Sequence, residues 1–115
     1  MKISIQRVEK IIDFIKSLNL DKKYQKEFTT KNIKNILYIN ESLTHSSANS
    51  DLNYENLEFL GDAVLRLIAS DFIKNKYPYM QVGERSELRS QLVSDEWLAQ
   101  VGKKININSV LIIGQ

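Results

Sequence analysis

Val8, Ile11, Ile12 and Ile15 recur at helical spacing among charged residues, and they predict a first amphipathic helix from Arg7 to Leu18. The polar, lysine-rich stretch from Asn19 to Thr29 reads as a connector. A second helical pattern follows from about Thr30 to Thr44 through Ile33, Ile36, Leu37 and Leu43, with Thr29 or Thr30 placed to cap it. His45 to Asp51 is small and polar, a loop by composition. From Asn53 to Tyr77 runs the longest clean pattern, interrupted only by Gly61 and closed by Pro78. It predicts one helix about 35 Å long at 1.5 Å per residue. After a turn at Gly83, a helix is expected from Glu84 to Val93, and Ser94 caps another that carries Trp97, Leu98 and Val101. Trp97 reads as core. The short apolar run Val110 to Ile113 has no evident packing partner. The predicted fold class is all-α.

Composition narrows the chemistry. The chain has 115 residues, 43% hydrophobic and 26% charged, with one proline and four glycines, which suits a single folded helical core. With no cysteine, a disulfide scaffold, a Cys-ligated zinc site, an iron–sulfur cluster and a thiol nucleophile are all excluded. The net charge of +2 is unevenly distributed. Residues 1 to 40 carry nine Lys or Arg against four Asp or Glu, while residues 41 to 100 carry five against ten. No apolar run approaches the roughly 18 residues of a membrane span, and Met1 to Arg7 lacks a secretory pattern. No membrane association is expected, and the expected location is the cytoplasm or an organelle stroma such as that of a plastid.

The acidic middle of the chain is ordered. At 100° per residue, Glu55, Glu58 and Asp62 fall within an arc of about 60°, one face of the long predicted helix. Leu57, Leu60, Val64 and Ile68 lie opposite and are the expected core side. Like charges at i,i+3 and i,i+4 disfavour a helix, so such a stripe is either a solvated face or a cation site. Arg66 can pair with Asp62 at i,i+4, which favours the first reading. The second calls for a hard ion, Mg²⁺ or Mn²⁺, held by carboxylate oxygens and keeping waters that can attack a phosphodiester. Gly61 costs about 1 kcal/mol relative to Ala in mid-helix, which suggests a close approach there. Phe59 stands on the acidic side and calls for either a partner surface or another part of its own chain.

Leu43-Thr44-His45-Ser46-Ser47, followed by Glu55-Asn56-Leu57-Glu58-Phe59-Leu60-Gly61-Asp62-Ala63-Val64-Leu65, resembles the signature of the ribonuclease III family. Ser86 to Val93, with the pattern Ser-x-Leu-Arg-x-x-Leu-Val, is similar to the helix that follows it, and the resemblance spans roughly residues 30 to 113. It implies an all-helical endonuclease domain over residues 29 to 115, preceded by an N-terminal helix and connector over residues 1 to 28. It further implies Mg²⁺-dependent cleavage of double-stranded RNA in rRNA or mRNA maturation by a homodimer. By that likeness Glu58 and Asp62 are the catalytic, metal-binding carboxylates, Glu55 is an accessory acid, and Phe59 is the aromatic knob of the dimer interface. The family's later Asp-x-x-Glu motif has no counterpart here, because Asp95 and Glu96 are adjacent. Val82 stands where the family often has Glu, and no double-stranded-RNA-binding module follows. The expected reading is a truncated ribonuclease III domain, weak or inactive by itself.

Arg85 and Arg89, at i,i+4, and Lys74 and Lys76, at the end of the long helix, are the candidate RNA phosphate contacts; solvated surface charge is the alternative. Lys22, Lys23 and Lys26 read as solvated. His45 is the only histidine, and with Ser46 and Asp51 it lacks the glycines of a nucleophile elbow. Thr44-His45-Ser46 is expected to fix and cap the loop entering the acidic helix. Two other classes remain: a non-catalytic relative that binds RNA or the ribosome, and a helical protein-interaction domain.

Overall fold

The computed structural model describes residues 2–115. Among them the regular elements are α1 (Ile5–Ser17), α2 (Lys22–Gln25), α3 (Ile33–Ser42), α4 (Glu55–Lys76), α5 (Val82–Leu92) and α6 (Asp95–Lys104), with 3₁₀ turns at Thr30–Asn32 and Ile107–Ser109. The only extended pairing among the described residues is one parallel bridge between Thr44 and Ile112. The all-α expectation is met. Contacts divide the chain into two compact units, one comprising the residues up to Asn56 with Ile107–Gln115, the other Leu57–Asn106.

The first unit is built on α1. Ser4 caps it, its Oγ accepting from the Arg7 amide at 3.1 Å, and Asn19, at φ 54°, takes the left-handed conformation just past its end. The spacing of Val8, Ile11 and Ile15 puts all three on the buried face, against Ile36 of α3, Leu43 and Val110. Val110 to Ile113 is therefore not an element without a partner. Its backbone runs beside Leu43–His45: Ile112 N–H donates to the Leu43 carbonyl at 2.9 Å and His45 N–H to the Ile112 carbonyl at 2.8 Å. Arg7 adds a polar tie. Its Nε donates to Oδ1 of the buried Asn40 at 2.8 Å and its Nη2 to the Val110 carbonyl at 2.6 Å. Desolvation lowers the guanidinium's pKa from its ordinary value.

Two expectations about α3 and its connector need correction. The stretch before α3 is not featureless, because Lys22–Gln25 forms one helical turn. Neither threonine caps: Thr29 precedes the 3₁₀ turn without a side-chain capping bond, and α3 itself begins only at Ile33. The connector is held instead by asparagines, Asn32 Nδ2 donating to the Lys26 carbonyl at 3.1 Å and Asn35 Nδ2 to that of Glu27 at 2.8 Å.

The loop leading into α4 is tied locally. Thr44 Oγ1 donates to the Asn40 carbonyl at 2.6 Å, His45 Nδ1 lies 2.8 Å from Ser47 Oγ, and the His45 ring stacks on Tyr54 with centroids 5.8 Å apart. The expected fixing role of Thr44 and His45 is thus realised, but the capping falls to another residue. Asn53, buried, accepts from the Glu55 amide through Oδ1 at 3.0 Å and donates through Nδ2 to the Asn49 carbonyl at 2.9 Å. Asn49 Oδ1 in turn accepts from the amides of Asp51 and Leu52.

The second unit contains the rest of α4, then α5 and α6. Ser94 caps α6 as expected, accepting from the Trp97 amide at 3.2 Å. Other expectations fail. On α4 only Ala69 and Ile73 are buried; of the expected core side Leu57 is half-buried, while Leu60, Val64 and Ile68 are exposed. Trp97 is likewise exposed rather than core. The wheel identified an apolar face correctly but had no means of showing that this chain leaves it uncovered. Gly83 lies inside the first turn of α5 rather than in a turn before it. Beyond its own stretch of helix, a Cβ at Gly61 would meet no atom of the described residues within 4 Å, so they do not make the close approach inferred there.

Candidate active site

Helix α4 starts from the Asn53 cap and carries Glu55, Glu58 and Asp62 at steps of three and four residues, all three exposed to solvent. Exposure leaves their carboxylate oxygens hydrated and reachable. Arg66 Nε donates to Asp62 Oδ2 at 3.2 Å, with both side chains more than half exposed. This is the pairing the wheel allowed. An exposed i,i+4 pair contributes about 0.3–0.5 kcal/mol, too little to hold Asp62 against a divalent cation.

The donors suit a hard ion in kind, since Mg²⁺ takes oxygen ligands and is commonly held by one or two carboxylates together with water and phosphate oxygens. They are few in number. Among the described residues no three His, Cys, Asp or Glu side chains are grouped so that they could hold a metal. Glu58 and Asp62, four residues apart on one helix, are the pair available, and the three-carboxylate stripe is not a closed cluster. Phe59, next to Glu58, is 93% exposed, so the described residues do not supply the intrachain packing that was its alternative.

The candidate phosphate contacts separate into two places. Lys74, Arg85 and Arg89 line one cavity of about 240 Å³ with Ser70, Ile73, Val82 and Ser86. Arg89 Nη1 donates to Ser70 Oγ at 3.1 Å, and Arg85 Nη2 to the Pro78 carbonyl at 2.6 Å. Lys76 is not in this group; its ammonium lies 6.0 Å from the Phe72 ring centroid. Ser70 was not singled out by sequence reasoning, and Ser86 only as the first residue of the Ser-x-Leu-Arg pattern, not as a neighbour of these cations. Their signal was positional, Ser70 four residues before Lys74 and Ser86 three before Arg89. His45 contacts Ser47 rather than Ser46, and Ser47 Oγ also accepts from the Gly114 amide at 2.9 Å, so this group ties the backbone together.

Fold and site define the class first: an all-helical domain whose longest helix presents paired carboxylates to solvent beside an uncovered aromatic residue. The family described as Ribonuclease-III-like matches residues 34–115, and the chain belongs to it. It is 48% identical over 112 residues to Ribonuclease 3 of Prochlorococcus marinus, covering 96% of this chain and 45% of that protein. With Ribonuclease 3 of Borreliella burgdorferi it shares 33% identity, covering 96% of this chain and 42% of the relative. The chain thus spans less than half the length of these curated relatives. Among solved structures, the nuclease domain of ribonuclease III from Campylobacter jejuni aligns with a TM-score of 0.66 at 30% identity, covering 96% of this chain and 66% of that one. That structure is described as showing flexibility in a region involved in dimer formation.

Proposed function

We propose that this chain is the nuclease portion of a ribonuclease III, an endoribonuclease that hydrolyses double-stranded RNA during rRNA or mRNA maturation, acting as a cytoplasmic homodimer with Mg²⁺ or, in its place, Mn²⁺. The observation that carries the reading is the placement of Glu58 and Asp62 four residues apart on the exposed face of α4, within the run Leu57-Glu58-Phe59-Leu60-Gly61-Asp62 of a chain belonging to this family. Glu58 and Asp62 would hold the ion, with Glu55 an accessory acid one turn earlier. An ion held there would supply a bound water of lowered pKa and polarisation of the phosphoryl oxygen.

The chain's own side chains hold and orient the substrate. Lys74, Lys76, Arg85 and Arg89 supply positive charge for the phosphates, which dominate affinity for duplex RNA. Phe59 would seat against a second copy of the chain, the nuclease domain being residues 29 to 115. No helix among the described residues is long and apolar enough to cross a membrane.

The test is cleavage of a long RNA duplex with Mg²⁺ or Mn²⁺, comparing wild type with Asp62→Asn. Two carboxylates are a short donor set, so these 115 residues are expected to cut weakly alone, and to gain activity when joined to the following segment of a ribonuclease 3 relative. Asp62→Asn should abolish the gain. Vigorous cutting by the 115 residues alone would overturn the expected weakness. Duplex binding with no metal-dependent cutting in either form would favour the non-catalytic relative, a reading supported by the absence of a three-carboxylate cluster among the described residues. Absence of RNA binding would favour the protein-interaction domain.

A further inference from the structure

Lys74, from the end of α4, and Arg85 and Arg89, from α5, line one cavity of about 240 Å³ together with Ser70 and Ser86. The Ser70 hydroxyl already donates to the Arg66 carbonyl at 2.7 Å, which leaves Ser86 as the hydroxyl donor among the lining residues. No carboxylate lines it, and none of the three cations forms an ion pair among the described residues. Converging like charges without a counterion is unfavourable, and here each arginine is held in place by neutral partners. Arg85 Nη2 is fixed on the Pro78 carbonyl and Arg89 Nη1 on Ser70 Oγ. Those bonds orient the guanidinium groups without neutralising them. Arg85 Nε is buried and has no acceptor, an uncommon state for a charged donor.

We infer that this cavity is a binding site for a single phosphate group. Two guanidinium groups and an ammonium exceed what a lone carboxylate can satisfy, whereas the oxygens of a phosphate accept from guanidinium and hydroxyl donors together. At about 240 Å³ the cavity has room for a phosphate group with its waters. Lys76, which lies outside it, has no part in the site. The phosphate can come from an RNA backbone or be free in solution. Its RNA origin rests on the nuclease reading above, and the pocket itself does not.

Two measurements separate these cases. Amide NMR shifts of the 115-residue chain titrated with inorganic phosphate, against sodium chloride at matched ionic strength, should move saturably at Ser70, Lys74, Ser86 and Arg89. Ser86→Asp, which places a negative charge at an exposed wall residue, should abolish the response with the spectrum otherwise intact. Lys74→Gln, which breaks no hydrogen bond of the fold, should weaken it. Shifts scattered over surface lysines, or unchanged in Ser86→Asp, would overturn the site. Duplex RNA binding then identifies the source. If the site takes a backbone phosphate, Lys74→Gln should lower the slope of log affinity against log salt by about one. An unchanged slope with intact phosphate shifts supports the site with free phosphate as its ligand. Phosphate shifts without any RNA binding by wild type support the site while overturning the RNA reading.

Discussion

Arg66 Nε lies 3.2 Å from Asp62 Oδ2 on adjacent turns of α4, so one of the two carboxylates proposed to hold the metal is already shared with a cation. Both side chains are more than half exposed, and water competes for each. Arg66→Gln is therefore expected to change stability by less than about 0.5 kcal/mol in urea unfolding. It should tighten Mn²⁺ binding rather than weaken it, because a competing cation is removed from Asp62. A loss of Mn²⁺ affinity would mean that Arg66 positions the carboxylate instead of competing for it.

The acidic helix was readable because two signals coincide there: a long 3.6-residue periodicity ended by Pro78, and carboxylates spaced three and four apart. Burial was not readable from the same pattern. Periodicity says that Leu60, Val64 and Ile68 share a face, but whether anything covers that face is a tertiary fact, and the described residues leave all three exposed. Trp97 failed for the same reason. The pairing of Val110–Ile113 with Leu43–His45 joins segments more than sixty positions apart, which no local pattern encodes. That Ser70 and Ser86 share a cavity with Lys74, Arg85 and Arg89 is likewise a tertiary fact.

Arg7 and Asn40 form the polar tie of the first unit. Asn40→Leu keeps much of the volume but leaves Arg7 Nε without its 2.8 Å acceptor in a half-buried position. Stranding a charged donor costs about 1–3 kcal/mol, and a loss in this range is expected in thermal or urea unfolding. Arg7→Met in addition leaves Asn40 Oδ1 and the Val110 carbonyl without this donor. If the two substitutions are combined, the loss should be smaller than the sum of the two alone.

Gly114 is required for packing rather than for conformation. Its amide donates to Ser47 Oγ at 2.9 Å, and a Cβ there would collide with the carbonyl of Ser47, a backbone group that cannot swing aside. Gly114→Ala should cost about 1–3 kcal/mol, as overpacked positions do. Amide exchange should quicken at His45 and Ile112, whose backbone bonds lie beside the displaced segment. Gly61→Ala is the contrasting case: with open space around it and a helical backbone, it should stabilise the chain by up to about 1 kcal/mol.

Phe59 and Leu67, 93% and 70% exposed, lie about 80° apart around α4, with the exposed Leu60 about a further 20° on. An exposed aromatic and aliphatic patch on a helix that also carries the acidic pair is a surface from which a second copy can exclude water. If that is its use, truncating it should separate two quantities that usually move together. Phe59→Ala removes no intrachain contact, so the unfolding free energy of dilute chain should change by less than about 0.5 kcal/mol. Self-association, followed by sedimentation over a range of concentrations, should fall markedly. Ile73→Ala supplies the opposite pattern, because Ile73 is only 2% exposed and its truncation should cost about 2–5 kcal/mol within the chain. Stability loss in Phe59→Ala equal to that in Ile73→Ala, with association unchanged, would mean that Phe59 packs within its own chain and that this face is not a dimer contact.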